Sequence, residues 1–108
     1  MALSCVYAGL SDVGRLRQNN EDSLAWDSAV GVAVLADGMG GYNAGEIASK
    51  MAVDHVMAHM AQWQQSAETP ITQRMVKRAM EAGVDEANRA IFDAAHTNTA
   101  YAGMGTTL

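Results

Sequence analysis

The sequence predicts an α+β chain in which strands come first and helices follow. Short apolar, partly β-branched runs occupy the first third, and a helical period takes over from Asn43 to Ala95. Between the two regimes, Asp37 ends an apolar run and four glycines follow within residues 38–45. Glycine at that density carries an entropic cost and leaves the backbone open to close approach, so this junction is the first place to look for function.

Three strands are expected. Ser4 to Leu10 is short and apolar, punctuated by Gly9, and Leu24 to Asp27 alternates loosely. Val30 to Ala36 is the clearest, a β-branched run bounded by Asp37-Gly38. Ser11 to Ser23 is too polar throughout for a core strand.

Asn43 followed three residues later by Glu46 forms a capping-box pattern, so a helix is expected to begin at about Asn43. Val53, Val56, Met57, Met60 and Trp63 share one stripe of it, while Lys50, Asp54, His55, His59 and Gln62 lie opposite, towards solvent. A loop over Gln64 to Glu68 leads to Thr69-Pro70, read as a cap followed by proline at the first helical position. The second helix is expected from about Ile71 to Ala95. Its apolar side carries Val76, Ala79, Met80, Gly83, Ala87, Ile91 and Ala94, and its outer side the pairs Lys77 with Glu81 and Asp85 with Arg89. After a turn-like stretch, Thr106-Thr107-Leu108 opens a strand-like pattern at which the sequence stops, so further chain is expected beyond it.

Composition narrows the function classes. With 108 residues and 49% hydrophobic content the chain is at most one ordinary globular domain. Its net charge of -5 argues against a nucleic-acid or anionic-membrane surface, so a phosphorylated ligand needs metal ions or a few placed basic groups. Cys5 stands alone and suits a reducing compartment. The setting Leu3-Ser4-Cys5 hints at lipidation, but no charged or long apolar segment precedes it. A cytoplasmic protein with no targeting signal and no membrane span is expected.

Asp37 and the neighbouring Gly38 carbonyl form a hard-oxygen pair suited to magnesium or manganese, and the alternative is a turn capped by Asp37. In Arg17-Gln18-Asn19-Asn20-Glu21-Asp22, the arginine can bind a phosphoryl group bidentately and the two carboxylates can ligate or orient water. The alternative there is a solvated polar loop. If the segment is extended, only one of Glu21 and Asp22 faces the site squarely. His55 and His59 have zinc-pair spacing but lack an intervening glutamate and a third ligand. Gly38-Met39-Gly40-Gly41 matches neither nucleotide-loop pattern, and Met57, Met60 and Met80 read as core fillers.

Taken in order, Ser11-Asp12-Val13-Gly14 with Arg17-Gln18-Asn19-Asn20-Glu21-Asp22, then Ala36-Asp37-Gly38-Met39-Gly40-Gly41, then Gly45-Glu46-Ile47-Ala48-Ser49, and lastly Gly103-Met104-Gly105-Thr106-Thr107, resemble the metal-dependent protein serine/threonine phosphatases of the type-2C (PPM) family, in its bacterial wording. The resemblance implies a β-sandwich flanked by antiparallel helices, of which residues 1–108 supply the N-terminal part of a single domain. It further implies two Mn2+ or Mg2+ ions bridged by Asp37, with the Gly38 carbonyl on one of them and Glu21 and Asp22 holding water around them. Arg17 would grip the substrate phosphate. The ions would activate water for in-line attack on phosphoserine or phosphothreonine, with no covalent phospho-enzyme. Phosphorylated proteins and an opposing protein kinase are the implied partners.

Two residues depart from the family pattern. Met39 stands where many members carry a histidine proposed as general acid, and Tyr42 where a histidine is often found. Family domains are more than twice as long, and their remaining aspartate ligands lie in the absent half, so the 108-residue piece is expected to have little or no activity alone and to leave apolar stripes partly exposed. A pseudo-phosphatase or phosphoprotein-binding half-domain, and a nucleotide-binding domain built on the glycine run, are the alternative functions.

Overall fold

The computed structural model describes residues 3–41 and 43–108; Tyr42 lies outside the described residues. Strand β1 (Asp22–Asp27), strand β2 (Val32–Met39), helix α1 (Ala44–Ser66), helix α2 (Gln73–Thr97), a single 3-10 turn (Thr99–Tyr101) and the two-residue strand β3 (Gly105–Thr106) follow one another. The strands form one antiparallel sheet in the order β1-β2-β3, so β2 is central. The α+β class therefore holds, as one sheet beneath one helical layer.

The β1–β2 hairpin turns through residues 28–31. Asp27 starts the turn, its carboxylate accepting from the amides of Ala29 at 2.9 Å and Val30 at 3.3 Å. Gly31 completes it at φ +77, and its amide donates to the Asp27 carbonyl at 2.8 Å. Val30 thus belongs to the turn rather than to the strand, which begins at Val32. At its other end β2 runs past the expected stop at Ala36 as far as Met39, because both of its edges find partners there. Asp37 pairs with Asp22, while Gly38 and Met39 pair with Thr106 and Gly105.

Small residues bring α1 close to the sheet. Ala44, Ala48 and Ala52 are buried against Ala36 of β2, and Ala25 and Val34 pack at the edge of the same cluster. Buried Ser49 shares a hydrogen bond with Ser23 of β1 at 3.0 Å and donates to the Glu46 carbonyl at 3.1 Å. The expected stripe holds, with Val53, Val56 and Met60 buried and Met57 and Trp63 half-buried. Helix α2 returns antiparallel beside α1: Met60 clusters with Ala79 near one end of the pair and Val53 with Ile91 near the other.

Several expectations are corrected. Ser4 to Leu10 forms no strand; Val6 is 96% exposed, and the segment touches the sheet where Gly9 abuts Leu24 and Trp26. An apolar run without a ladder partner has nothing to hold it extended. The capping box at α1 does not form, since the Asn43 side chain makes no cap bond. Helix α1 continues through Ser66 into the expected loop, its last hydroxyl bonded to the Gln62 and Trp63 carbonyls. Helix α2 is capped by Thr72, whose hydroxyl accepts from the Met75 amide at 3.2 Å, and Thr69-Pro70 lies ahead of it. Met80 is 52% exposed rather than core. His59 faces α2, with Nδ1 2.9 Å from Glu86 and its ring over Gly83.

Candidate active site

The hairpin register brings the expected residues together. Asp22 and Asp37 are direct cross-strand partners, which places both side chains on the same face of the sheet. Both are exposed, and among the described residues neither carboxylate receives a hydrogen bond or an ion pair. Like charges directly opposite one another destabilise an antiparallel pair. Arg17, Glu21 and Asp12 line the same small cleft, so four acidic residues and one arginine border it.

Backbone contacts fix Asp37 in place. Its amide donates to the Thr107 hydroxyl at 3.1 Å, and its carbonyl accepts from the Thr107 amide at 2.9 Å. The next residue, Gly38, is buried, and its amide donates to the Glu21 carbonyl at 3.0 Å. A Cβ on Gly38 would run into the Gly45 carbonyl and come within 2.9 Å of the Glu21 carbonyl. Glycine is needed there because β2, the start of β1 and the first turn of α1 meet backbone to backbone.

Glu21 and Asp22 divide their tasks. Asp22 faces Asp37, while the Glu21 carboxylate presses on Gly45, where a Cβ would collide with its Oε2. A carboxylate beside the first turn of a helix sits in the favourable field of that helix. The alternation of an extended segment was expected to turn only one of the pair squarely to the site, whereas both residues border the cleft; the contact with Gly45 spans 24 residues and left no local trace. Asp12 is the other addition. Its carboxylate accepts from the Gly14 amide at 2.7 Å, an Asx turn whose sequence sign is Ser11-Asp12-Val13-Gly14.

The donor chemistry is that of a hard cation, since the cleft offers carboxylate and carbonyl oxygens and no thiolate or imidazole. Among the described residues no three such side chains converge tightly enough to hold an ion by themselves.

The protein phosphatase 2C family model matches residues 15–108. The chain belongs to the protein phosphatase 2C family. Serine/threonine protein phosphatase PstP of Mycobacterium tuberculosis is 37% identical over 102 residues, a match covering 94% of this chain and 18% of that protein. A putative protein phosphatase 2C-type protein of Streptococcus pyogenes is 33% identical over 101 residues, covering 91% of this chain and 39% of that one. Among solved structures, the M. tuberculosis phosphatase PstP/Ppp superposes with a TM-score of 0.64 at 36% identity, over 91% of this chain and 37% of that one. A bacterial serine phosphatase bearing an arginine-to-glutamate mutation gives 0.72 at 33% identity, over 91% and 43%. This phosphatase-family chain thus spans well under half the length of these relatives. No helix among the described residues is long and apolar enough to cross a membrane.

Proposed function

We propose that this chain carries one side of the active site of a metal-dependent protein serine/threonine phosphatase, as the N-terminal part of a single catalytic domain. The observation that carries the reading is the facing pair Asp22 and Asp37. An unneutralised cross-strand pair of carboxylates beside an arginine is a local liability that a divalent cation relieves.

Asp37 would hold two Mn2+ or Mg2+ ions, with the Gly38 carbonyl on one of them, and the ions when bound supply an activated water and charge neutralisation for phosphoryl transfer. Asp22 and Glu21 orient water at the edge of that site. Arg17 binds the substrate phosphate and aligns the phosphorus for in-line attack. The thioether of Met39 cannot donate a proton, so the departing serine or threonine oxygen takes its proton from water. The substrates are phosphoserine and phosphothreonine proteins, made by an opposing kinase in the cytoplasm.

The test is manganese-dependent hydrolysis of a phosphothreonine peptide. The chain alone should show little or none, because its half of the donor set does not hold the ions. A chimera in which it replaces the matching segment of the M. tuberculosis phosphatase should be active, and Asp37→Asn should reduce that activity at least 100-fold. Activity that survives Asp37→Asn would rule out the ion-holding role. A folded chimera that binds the phosphopeptide without hydrolysing it would point to the pseudo-phosphatase alternative instead.

A further inference from the structure

The loop that carries Arg17 has almost no packing to hold it. Leu16 is 97% exposed, and a side chain at Gly14, which sits at φ +80, would meet nothing within 4 Å. Two side-chain hydrogen bonds do the holding. Asn20 Nδ2 donates to the Ser11 hydroxyl at 2.6 Å, closing the base of the loop. Asn19 Nδ2 donates to Asn43 Oδ1, also at 2.6 Å, tying the loop to the start of α1.

The second bond is the informative one. Asparagine is among the best N-cap residues, and Asn43 stands at the N-cap of α1, yet its side chain caps nothing. In the same molecule Thr72 does cap α2. Asn43 has turned its only acceptor away from the helix and towards a residue two positions from Arg17. Where a strong local signal is overridden, a functional constraint is a good explanation.

We propose that Asn43 is a positioning residue: through Asn19 it holds the Arg17 loop over the cleft that contains Asp37. This rests on the phosphate-binding role given above to Arg17. The bond joins the loop to the N-cap of α1, so displacement of either one moves the arginine. Asn43 itself touches neither phosphate nor ions.

A double-mutant cycle in the chain itself tests this, with Asn19→Ala, Asn43→Ala and the double variant. Amide hydrogen exchange over residues 15–19 should speed up several-fold in each single variant and no further in the double. In the wild-type chain the Arg17 Nε–H resonance should move on titration with inorganic phosphate, and each single variant should weaken that apparent affinity by ~2- to 10-fold, the equivalent of one net hydrogen bond. The double variant should match the singles. The melting temperature of Asn43→Ala should fall no further than that of Asn19→Ala, because both lose the one shared bond and no cap is lost besides. Additive effects, unchanged exchange, or a lowered melting temperature with phosphate affinity intact would each overturn the proposal and return Asn43 to plain capping. An Arg17 resonance indifferent to phosphate in the wild-type chain would instead overturn the role of Arg17, while the exchange data still decide whether the tie exists.

Discussion

Asp37 shows how far a single residue can be read. A carboxylate at the end of an apolar β-branched run, followed by glycine, was legible as a candidate ion ligand from local chemistry alone. What was not legible is why the glycine is compulsory. Gly38 faces the Gly45 and Glu21 carbonyls, contacts set by the meeting of three elements far apart in sequence. Gly38→Ala should therefore destabilise the chain by at least about 3 kcal/mol, since backbone rather than a pliable side chain blocks the added methyl. Urea unfolding followed by circular dichroism measures it, and a loss under about 1 kcal/mol would mean that the three segments do not meet this closely. The division between Asp22 and Glu21 follows the same logic. Alternation along an extended chain predicts that they diverge, but only the fold says which one looks at Asp37.

At the scale of elements, the periodic helices were the most readable part and their ends the least. The α1 stripe is buried as its spacing demands, because a 3.6-residue period leaves little choice once one face meets a sheet. The α1 start was placed correctly, with Asn43 at the N-cap, but its capping bond was not, and the α2 cap was misplaced. Asn43 spends its side chain on Asn19, and Thr72 outcompetes Thr69-Pro70 by lying one residue before the first helical turn. Thr72→Ala should cost about 1 kcal/mol in thermal or chemical unfolding, and Thr69→Ala close to nothing. The helix pair offers a second test. Gly83 leaves room for the His59 ring, whose Cδ2 lies 3.1 Å from where a Cβ would be. In a His59→Ala background, Gly83→Ala should stabilise by about 0.5–1 kcal/mol through helix propensity. With His59 present and held by Glu86 the same substitution should gain less, and the difference reads out their contact.

The whole molecule is flatter than its length suggests. Its extents are 47 × 32 × 17 Å, and its radius of gyration is 15.5 Å. A closed globular domain of this size would have a radius of about 13 Å. Two apolar surfaces are left open as a result, one on the sheet face away from α1, where Leu35 is 64% exposed, and one along α2 at Met80 and Val84, continued by Ile71 just ahead of the helix. The sequence indicated that such stripes would be partly uncovered, but it placed Met80 inside, because helical spacing identifies an apolar face without saying whether anything covers it. Met80→Lys should consequently shift stability by less than about 0.5 kcal/mol and reduce binding of an apolar dye. A loss of several kcal/mol would show Met80 to be packed in solution.

The paired bonds between Thr107 and Asp37 join residues 70 positions apart. Closing a loop of that length costs about 4 kcal/mol in chain entropy, and contacts close in sequence form earlier. The hairpin and both helices thus have every reason to assemble before the end of β2 is clamped from its far side. Thr107→Val should then raise the unfolding rate and leave the folding rate nearly unchanged in stopped-flow measurements. The proposed catalytic geometry around Asp37 is in this sense a late event in the life of each molecule: the carboxylate is carried into place early, and its backbone is set only when the chain has come almost full circle.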